Sequence, residues 1–284
     1  MKPINARYAP SRILKLGLIE NAWWGSPVDR IDGIRWAKEL GFDTYDLYPI
    51  DLTPPIKRAM IDAIRDVGMP IPSFIVLSYS ISDFNPEIRR YSIDWLKRQM
   101  DIGYDFGSPT MLLALGEYIL EKVELDPKIQ WKWAVEGVRE VAEYAHGLGM
   151  NIALEFLPHK FSMLNNVESM ERFLGDVDHE AVFANVDVSH LFLMGDGPET
   201  ISRLRGKVVN VHFSDCDGKV HGDLIPGRGV VPLKEYLVAL EGIGYEGPVS
   251  VELEWCPQPD KIRDWVNEAY TVTARMMQEL GIRK

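Results

Sequence analysis

The hydrophobic and polar residues along this chain follow two alternating periods. Short apolar runs, rich in β-branched and aromatic residues, are each followed by a longer segment in which apolar residues recur at helical spacing. The predicted strands, in chain order, are "LKLGLIE", "TYDLYP", "PIPSFIVL", "TMLLAL", "NIALEF", "VFANVD", "VVNVHF" and "VSVELE". The predicted helices run approximately over Val28–Leu40, Pro55–Val67, Pro86–Ile102, Pro127–Leu148, Val167–Leu174, Pro198–Leu204, Leu233–Ile243 and Lys261–Leu280.

Proline and glycine mark the ends of these helices. Several predicted helices begin with proline, whose missing N–H would have no partner in the first helical turn. In "KELGFDTYDL", "HGLGMNIALE" and "EGIGYEGPVSVE" a helix ends, glycine provides a left-handed cap and the next strand begins. Eight such strand–helix units favour the α/β class and a single (β/α)8 TIM barrel over residues 1–284. An open doubly wound sheet is the alternative, but no glycine-rich phosphate loop follows the first strand.

Four side chains able to bind a metal stand at the ends of predicted strands 5 to 8. They are Glu155, Asp187, His212 and Glu252. Because side chains alternate along a strand, a Glu252 that points into the barrel leaves Val251 and Leu253 facing the helices. The other three candidates likewise have apolar neighbours on the opposite face. The pattern therefore predicts that all four side chains meet inside the barrel, at the carboxyl ends of strands 5 to 8.

Three carboxylates in one buried place repel each other unless a cation lies between them. Three oxygen ligands and one imidazole suit Mn²⁺, which is the expected ion, with Mg²⁺ and Co²⁺ as alternatives. The competing interpretation is that the acids pair with basic residues or lie at the solvated rim, with His212 as an ordinary hydrogen-bonded histidine. Four candidates on four successive strands favour one divalent metal ion.

Charge and composition exclude several classes of protein. The formal net charge of −11 argues against a nucleic-acid partner. No apolar run reaches the length of a membrane span, and the first residues do not have the pattern of a secretory signal, so we expect no membrane association and a cytoplasmic location. Cys216 and Cys256 are too few for a disulfide framework, and we expect two free thiols.

Four motifs resemble those of the xylose isomerase-like barrel superfamily, and specifically of its ketose 3-epimerases and their inosose dehydratase relatives. In chain order, "ALEF" resembles the first metal-glutamate strand, "DVSH" the Asp-x-x-His motif, "VHFSD" the metal-histidine strand and "GYEGPVSVE" the last metal-glutamate strand. The resemblance implies that Glu155, Asp187, His212 and Glu252 bind one metal ion. It further implies that His190 contacts a substrate oxygen, and that Glu155 and Glu252 remove and return the proton on the carbon being inverted.

The chain departs from the epimerase pattern at two positions. Phe161 stands where the epimerases carry a substrate-binding glutamate, and Gly218 stands where they carry an arginine. Other side chains after the predicted strands are therefore candidate substrate contacts. The main candidates are His159, Lys160, Arg228, Trp24 and Tyr48, and further candidates are Glu20, Trp23, Tyr79, Glu117, Lys219 and His221.

The leading functional hypothesis is an epimerase or isomerase that moves a proton next to the carbonyl of a keto-sugar or related polyol, through a metal-stabilised enediolate. The alternative is a metal-dependent dehydratase or lyase that uses the same enolate, either of the inosose type or acting on 3-keto-glycosides. A DNA endonuclease of the superfamily needs further histidines early in the chain, whereas all six histidines lie at or after His146. A non-catalytic partner subunit and a homo-oligomer both stay open.

Overall fold

The computed structural model describes residues 13–116, 126–254 and 256–284. The strands are β1 Lys15–Ile19, β2 Thr44–Asp46, β3 Phe74–Leu77, β4 Thr110–Ala114, β5 Asn151–Leu154, β6 Val182–Asp187, β7 Val208–Phe213 and β8 Pro248–Val251. The helices are α1 Arg30–Leu40, α2 Pro54–Val67, α3 Pro86–Asp105, α4 Pro127–Gly147, α5 Val167–Val177, α6 Val188–Leu193, α7 Leu233–Gly242 and α8 Ile262–Glu279. Short 3₁₀ helices cover Glu20–Trp23, Pro198–Leu204 and Pro259–Lys261.

The eight strands of the described residues are parallel and form one nearly closed barrel. Their order is β2-β1-β8-β7-β6-β5-β4-β3, so each strand lies beside its neighbours along the chain and β8 returns to β1. The two ends of this sheet approach each other through a parallel bridge between Leu47 and Phe74. The predicted TIM barrel is confirmed. Within the described residues, no helix combines the length and the apolar character required to cross a membrane.

Glycine caps join helices to strands as the sequence predicts. Gly41 follows α1 with a φ of 106°, and Gly149 follows α4 with a φ of 70°. Both values lie in the left-handed region, which glycine occupies without the steric cost that a Cβ atom brings. Each cap returns the chain to the amino end of the next strand, so the carboxyl ends of the strands are left for functional side chains.

The segment after β6 differs from the prediction. Helix α6 begins directly after the strand because the Asp187 carboxylate caps it, accepting a hydrogen bond from the backbone N–H of His190 at 2.9 Å. The predicted helix at Pro198–Leu204 is a 3₁₀ helix. Strand β8 ends at Val251, one residue before Glu252, whereas the apolar pattern extended it to Glu254.

The barrel interior has an apolar half and a polar half. An inner cluster formed by Ile19, Tyr48, Ile75 and Leu112 fills the side made by β1 to β4, and Trp24 packs against it. On the other side, β6 and β7 turn Asn185 and Asn210 inward, and both residues are at most 1 % exposed. Charged side chains at the carboxyl end of this polar half therefore face an apolar wall.

Candidate metal centre and substrate pocket

The four predicted ligands meet around the imidazole of His212. Its Nδ1 lies 2.9 Å from Glu252 Oε2, 3.2 Å from Glu155 Oε2 and 4.0 Å from Asp187 Oδ2. Each of the four residues is at most 6 % exposed. Ligand atoms of Glu155, Asp187 and His212 lie within 4.8 Å of one another, which is close enough to hold one ion.

A shift in the register between β6 and β7 brings Asp187 opposite His212. Ala184 pairs with Val208, whereas Asn185 pairs with Asn210, so β7 gains one residue at this point. In the register before the shift, Asp187 would lie opposite Val211, whose side chain faces the other side of the sheet. Such bulges re-aim side chains next to active sites. Here the bulge places a carboxylate and an imidazole side by side.

Two asparagines hold the two glutamates in place. The Asn185 side chain donates to both oxygens of Glu155, at 2.8 and 2.7 Å. The Asn21 side chain donates to Glu252 Oε1 at 2.8 Å and to Glu254 Oε1 at 3.3 Å. In both cases the glutamate keeps its Oε2 directed at His212 Nδ1. The hydrogen bonds therefore fix the orientation of the carboxylates toward one point.

Burial makes the charged forms of these glutamates costly. It raises the pKa of Glu155 to about 8, with His212 opposing the increase and Asp187 and Glu252 adding to it. Burial also raises the pKa of Glu252 well above its ordinary range, and neighbouring carboxylates add to that increase. A divalent cation between them would offset both effects.

Asp187 also shows that the arrangement fits a metal ion. Its Oδ1 accepts hydrogen bonds from the backbone N–H of His190 and from the Ser189 hydroxyl, at 2.9 and 3.0 Å. Its Oδ2 is buried and has no hydrogen-bond partner among the described residues. A buried carboxylate oxygen without a donor is costly unless a cation binds it. The set of three carboxylates and one imidazole fits a divalent ion of the Mn²⁺, Mg²⁺ or Zn²⁺ type.

A pocket of about 220 Å³ opens above these ligands. Its apolar wall comes from the first half of the barrel, where the rings of Trp24 and Tyr48 lie 4.6 Å apart. Its polar wall contains Glu155, His212 and Glu252. The full set of lining residues is Trp24, Tyr48, Ile75, Leu77, Tyr79, Leu112, Ala114, Glu155, Leu157, Pro158, His159, His190, His212, His221, Glu252 and Glu254.

His190 presents a free nitrogen to this pocket. Its Nδ1 lies 2.6 Å from the backbone carbonyl of Phe156, so Nδ1 carries the proton and donates to that oxygen. Its Nε2 is buried and has no partner among the described residues. Burial lowers the pKa of His190, which keeps the ring neutral. Nε2 therefore has a lone pair that can accept a hydrogen bond from a substrate hydroxyl.

The other predicted contacts lie in different places. His159, Trp24 and Tyr48 line the pocket, with His159 at its exposed rim. Lys160 is exposed and lies over the ring of Phe161, outside the pocket lining. The Arg228 guanidinium also lies outside the lining and pairs with Glu268 on α8 at 2.7 and 2.8 Å, because the loop carries it outward.

Two weaker candidates and the cysteines are also accounted for. Glu20 is buried and binds the Arg30 guanidinium at 2.8 Å and the Tyr48 backbone N–H at 2.8 Å, which gives it a structural role. Glu117 lies outside the described residues. Cys216 and Cys256 are free thiols, as predicted.

Several polar residues of the site were not among the predicted functional residues. Asn21, Asn185 and Asp223 hold charged groups of the pocket, and Asp46 is buried inside the barrel, where it accepts a hydrogen bond from the Ser250 hydroxyl. The sequence could have indicated a role for Asn185, because it lies two residues before Asp187 on the same face of the strand. Asn21 lies in the 3₁₀ helix Glu20–Trp23 and Asp223 lies in a loop, and in neither place does strand alternation give a direction.

Comparisons with known proteins identify the family of this chain. A family model described as "Xylose isomerase-like TIM barrel" matches residues 34–275. Fructoselysine 3-epimerase of Escherichia coli O157:H7 is 26 % identical over 255 residues, which cover 84 % of this chain and 90 % of that protein. Inosose dehydratase of Geobacillus thermodenitrificans is 21 % identical over 281 residues, which cover 86 % of this chain and 91 % of that protein.

Solved structures share the fold over nearly the whole chain. D-psicose 3-epimerase with D-tagatose from Clostridium cellulolyticum H10 has a TM-score of 0.80 at 22 % identity and covers 95 % of this chain and 100 % of its own. The IOLI protein with a binding zinc atom has a TM-score of 0.81 at 21 % identity and covers 94 % of this chain and 99 % of its own. At this identity the two likenesses show the barrel fold alone.

Proposed function

Since this chain belongs to the xylose isomerase-like TIM barrel family, we propose that it is a metal-dependent sugar epimerase or isomerase. Its substrate is a keto-sugar or a related polyol, and the reaction moves a proton on the carbon next to the carbonyl. The observation that carries the proposal is the pair of buried glutamates, Glu155 and Glu252, whose Oε2 atoms approach His212 Nδ1 from β5 and from the end of β8.

The metal site of the proposal consists of Glu155, Asp187, His212 and Glu252, with Mn²⁺ as the proposed ion. A divalent ion at this place supplies a Lewis acid that stabilises negative charge on a substrate oxygen. The fit rests on the unpartnered Oδ2 of Asp187 and on the convergence of the carboxylates. The structure of the relative with a zinc atom supports a divalent ion in this family.

The two glutamates divide the proton transfer between them. Their strands are not neighbours, because β6 and β7 lie between β5 and β8. Carboxylates that reach one carbon from two sides can remove a proton from one face and return a proton to the other face. Glu155 and Glu252 are held at this spacing by Asn185 and Asn21, so neither needs to reorient during the reaction.

The remaining pocket residues position the sugar. Trp24 and Tyr48 offer aromatic faces to its C–H groups, as expected for a sugar-binding wall. His190 Nε2 accepts from a hydroxyl, and His159 meets the sugar at the rim. D-tagatose bound to the psicose epimerase and the name of the fructoselysine epimerase support a keto-sugar substrate.

A second candidate reaction is the elimination of water or of an aglycone. It is favoured by the likeness to inosose dehydratase, which extends over 86 % of this chain. Proton removal by the same glutamate would begin both reactions. Product analysis separates them, because epimerisation conserves the mass of the substrate and elimination does not.

Hydrogen exchange tests the proposal directly. The Mn²⁺-loaded protein is incubated in D₂O with a panel of ketoses, inososes and 3-keto-glycosides, and deuterium next to the carbonyl is measured by NMR. We expect exchange in the wild type, its loss in Glu155→Gln and Glu252→Gln, and full activity in the matched surface variant Glu136→Gln. Wild-type activity in either pocket variant would refute the assigned roles.

A further inference from the structure

A histidine–aspartate pair lies on the loop between β7 and α7, beside the metal-ligand residues. His221 Nε2 is 3.0 Å from Asp223 Oδ2. Asp223 is 1 % exposed, and its other oxygen accepts a hydrogen bond from the Ser214 hydroxyl at 2.7 Å. Asp223 also has a φ of 33°, in the left-handed region that costs a residue with a Cβ atom free energy. The surrounding contacts therefore hold this carboxylate in one position.

The loop that carries the pair is anchored by Asp215. Its carboxylate accepts four backbone hydrogen bonds, from Cys216, Gly227, Gly229 and Val231, at 2.9 to 3.0 Å. Backbone hydrogen bonds of 3.0 and 2.8 Å between Asp215 and Leu224 close the loop at its base. With both ends fixed in this way, the loop presents His221 to the pocket in a defined orientation.

His221 lines the same pocket as the two glutamates. Its side chain is 30 % exposed, and its ring lies 4.7 Å from the ring of His190. The described residues that line the pocket include no lysine or arginine. Burial lowers the pKa of His221, but the adjacent Asp223 carboxylate, 3.0 Å away, raises it further, to about 9. Because Nε2 faces Asp223, Nδ1–H is the ring donor left for a group bound in the pocket.

We propose that His221 is a third catalytic residue, oriented by Asp223. It donates a hydrogen bond to the substrate oxygen that gains negative charge when the proton leaves the neighbouring carbon. This assignment rests on the proposed function, because it needs a reaction in which such charge develops. A donor aimed at developing charge in a water-poor site contributes about 100- to 1,000-fold to kcat.

Kinetics of His221→Gln test the assignment, with the exposed His146→Gln as the matched control. We expect His221→Gln to lower kcat about 100- to 1,000-fold with KM within about 3-fold of wild type, and His146→Gln to leave both unchanged. Because the side chain is partly exposed, added imidazole should restore part of kcat in His221→Gly. A role limited to structure would not give this rescue. A kcat within about 3-fold of wild type in His221→Gln overturns the proposal.

Asp223→Asn supplies the second variant. The groups that face His221 are Asp223, His190 and His159, with Asp187 and Glu254 farther away. A required imidazolium loses its proton as pH rises through about 9 in the wild type, so removal of the Asp223 charge should move the alkaline fall of kcat to lower pH. An unchanged alkaline limb contradicts the orienting role of Asp223.

Metal content distinguishes a catalytic role of His221 from a role as a metal ligand. Ligand atoms of His190, His221 and Asp223 lie within 4.8 Å of one another, so the trio is also a geometric candidate for a second ion. We expect His221→Gln to keep the wild-type metal stoichiometry by mass spectrometry of the loaded protein. Loss of one ion per chain overturns the catalytic assignment in favour of a ligand role. Absence of exchange in the wild type refutes the proposed function itself and this assignment with it.

Discussion

Without a bound cation, the stability of this protein should depend on pH through Glu155. The folded-state pKa of this side chain is about 8, compared with an ordinary value of 4.5. The metal-free folded protein therefore binds this proton more tightly than the unfolded chain does. Stability gained from the protonated carboxyl is fully present below pH 4.5 and is lost as pH rises to about 8.

The size of the effect follows from the difference between the two pKa values. Each pKa unit corresponds to about 1.4 kcal/mol, so ionisation of Glu155 in the metal-free fold costs ~5 kcal/mol at most. That is a large share of the ~5–15 kcal/mol by which folded proteins are usually stable. Glutamine at position 155 keeps the shape of the protonated side chain and has no proton to lose. The Glu155→Gln protein should therefore lack this part of the pH dependence.

Urea denaturation of chelator-treated protein at pH 5, 6, 7 and 8 measures the effect. The free energy of unfolding of the wild type should fall more steeply with pH than that of Glu155→Gln, while the surface variant Glu136→Gln should follow the wild type. Saturating Mn²⁺ should flatten the wild-type curve, because a bound cation favours the ionised carboxylate. Parallel pH curves for the metal-free wild type and Glu155→Gln would refute the reasoning.

Three further substitutions test other parts of the site. Asn185→Ala should weaken metal binding about 10- to 100-fold by calorimetry, since Asn185 orients Glu155; unchanged affinity would show that the carboxylate holds its position alone. Trp24→Ala should raise KM about 3- to 10-fold with little change in kcat, since it removes one aromatic face of the pocket; an unchanged KM would exclude the sugar from this wall. Arg228→Ala should leave kcat/KM within about 2-fold of wild type, because its exposed pair with Glu268 lies outside the pocket. It should lower the free energy of unfolding in urea by at most ~1 kcal/mol. A larger loss of activity would indicate that Arg228 contacts the substrate.

The barrel could be predicted from the sequence because its signals are local. Apolar runs and helical periods each occupy a short window of the chain and recur eight times, and glycine caps mark several of the junctions. The four candidate ligands were chosen by the same local rule, since Glu252 lies on the face opposite to Val251 and Leu253. The segment after β6 was harder, because the carboxylate of Asp187 both faces the site and caps α6, so a short helix begins directly after the strand and before the predicted helix at Pro198–Leu204.

The contacts that hold the ligands in place depend on distant parts of the chain. Asn21 and Glu252 are separated by 231 positions and meet only because β1 and β8 are neighbours in the closed barrel. The bulge that aligns Asp187 with His212 has no glycine or proline to mark it. His221 was visible as a histidine above strand 7, but its direction is set by Asp223 and by the backbone contacts of Asp215. Such relations appear only when the chain is folded.

The two halves of the barrel interior act together in the proposed reaction. If Ile19, Ile75 and Leu112 were polar, water and hydrogen bonds would solvate Glu155 and Glu252, and their pKa values would stay near the ordinary range. Ile19, Ile75 and Leu112 instead form an apolar wall opposite the carboxylates. That wall raises the basicity of the glutamates and strengthens their attraction for a cation. The same apolar surface suits the C–H face of a sugar whose oxygens point to β5 to β8. The apolar wall opposite the carboxylates therefore both raises the pKa values of the two glutamates and orients the substrate.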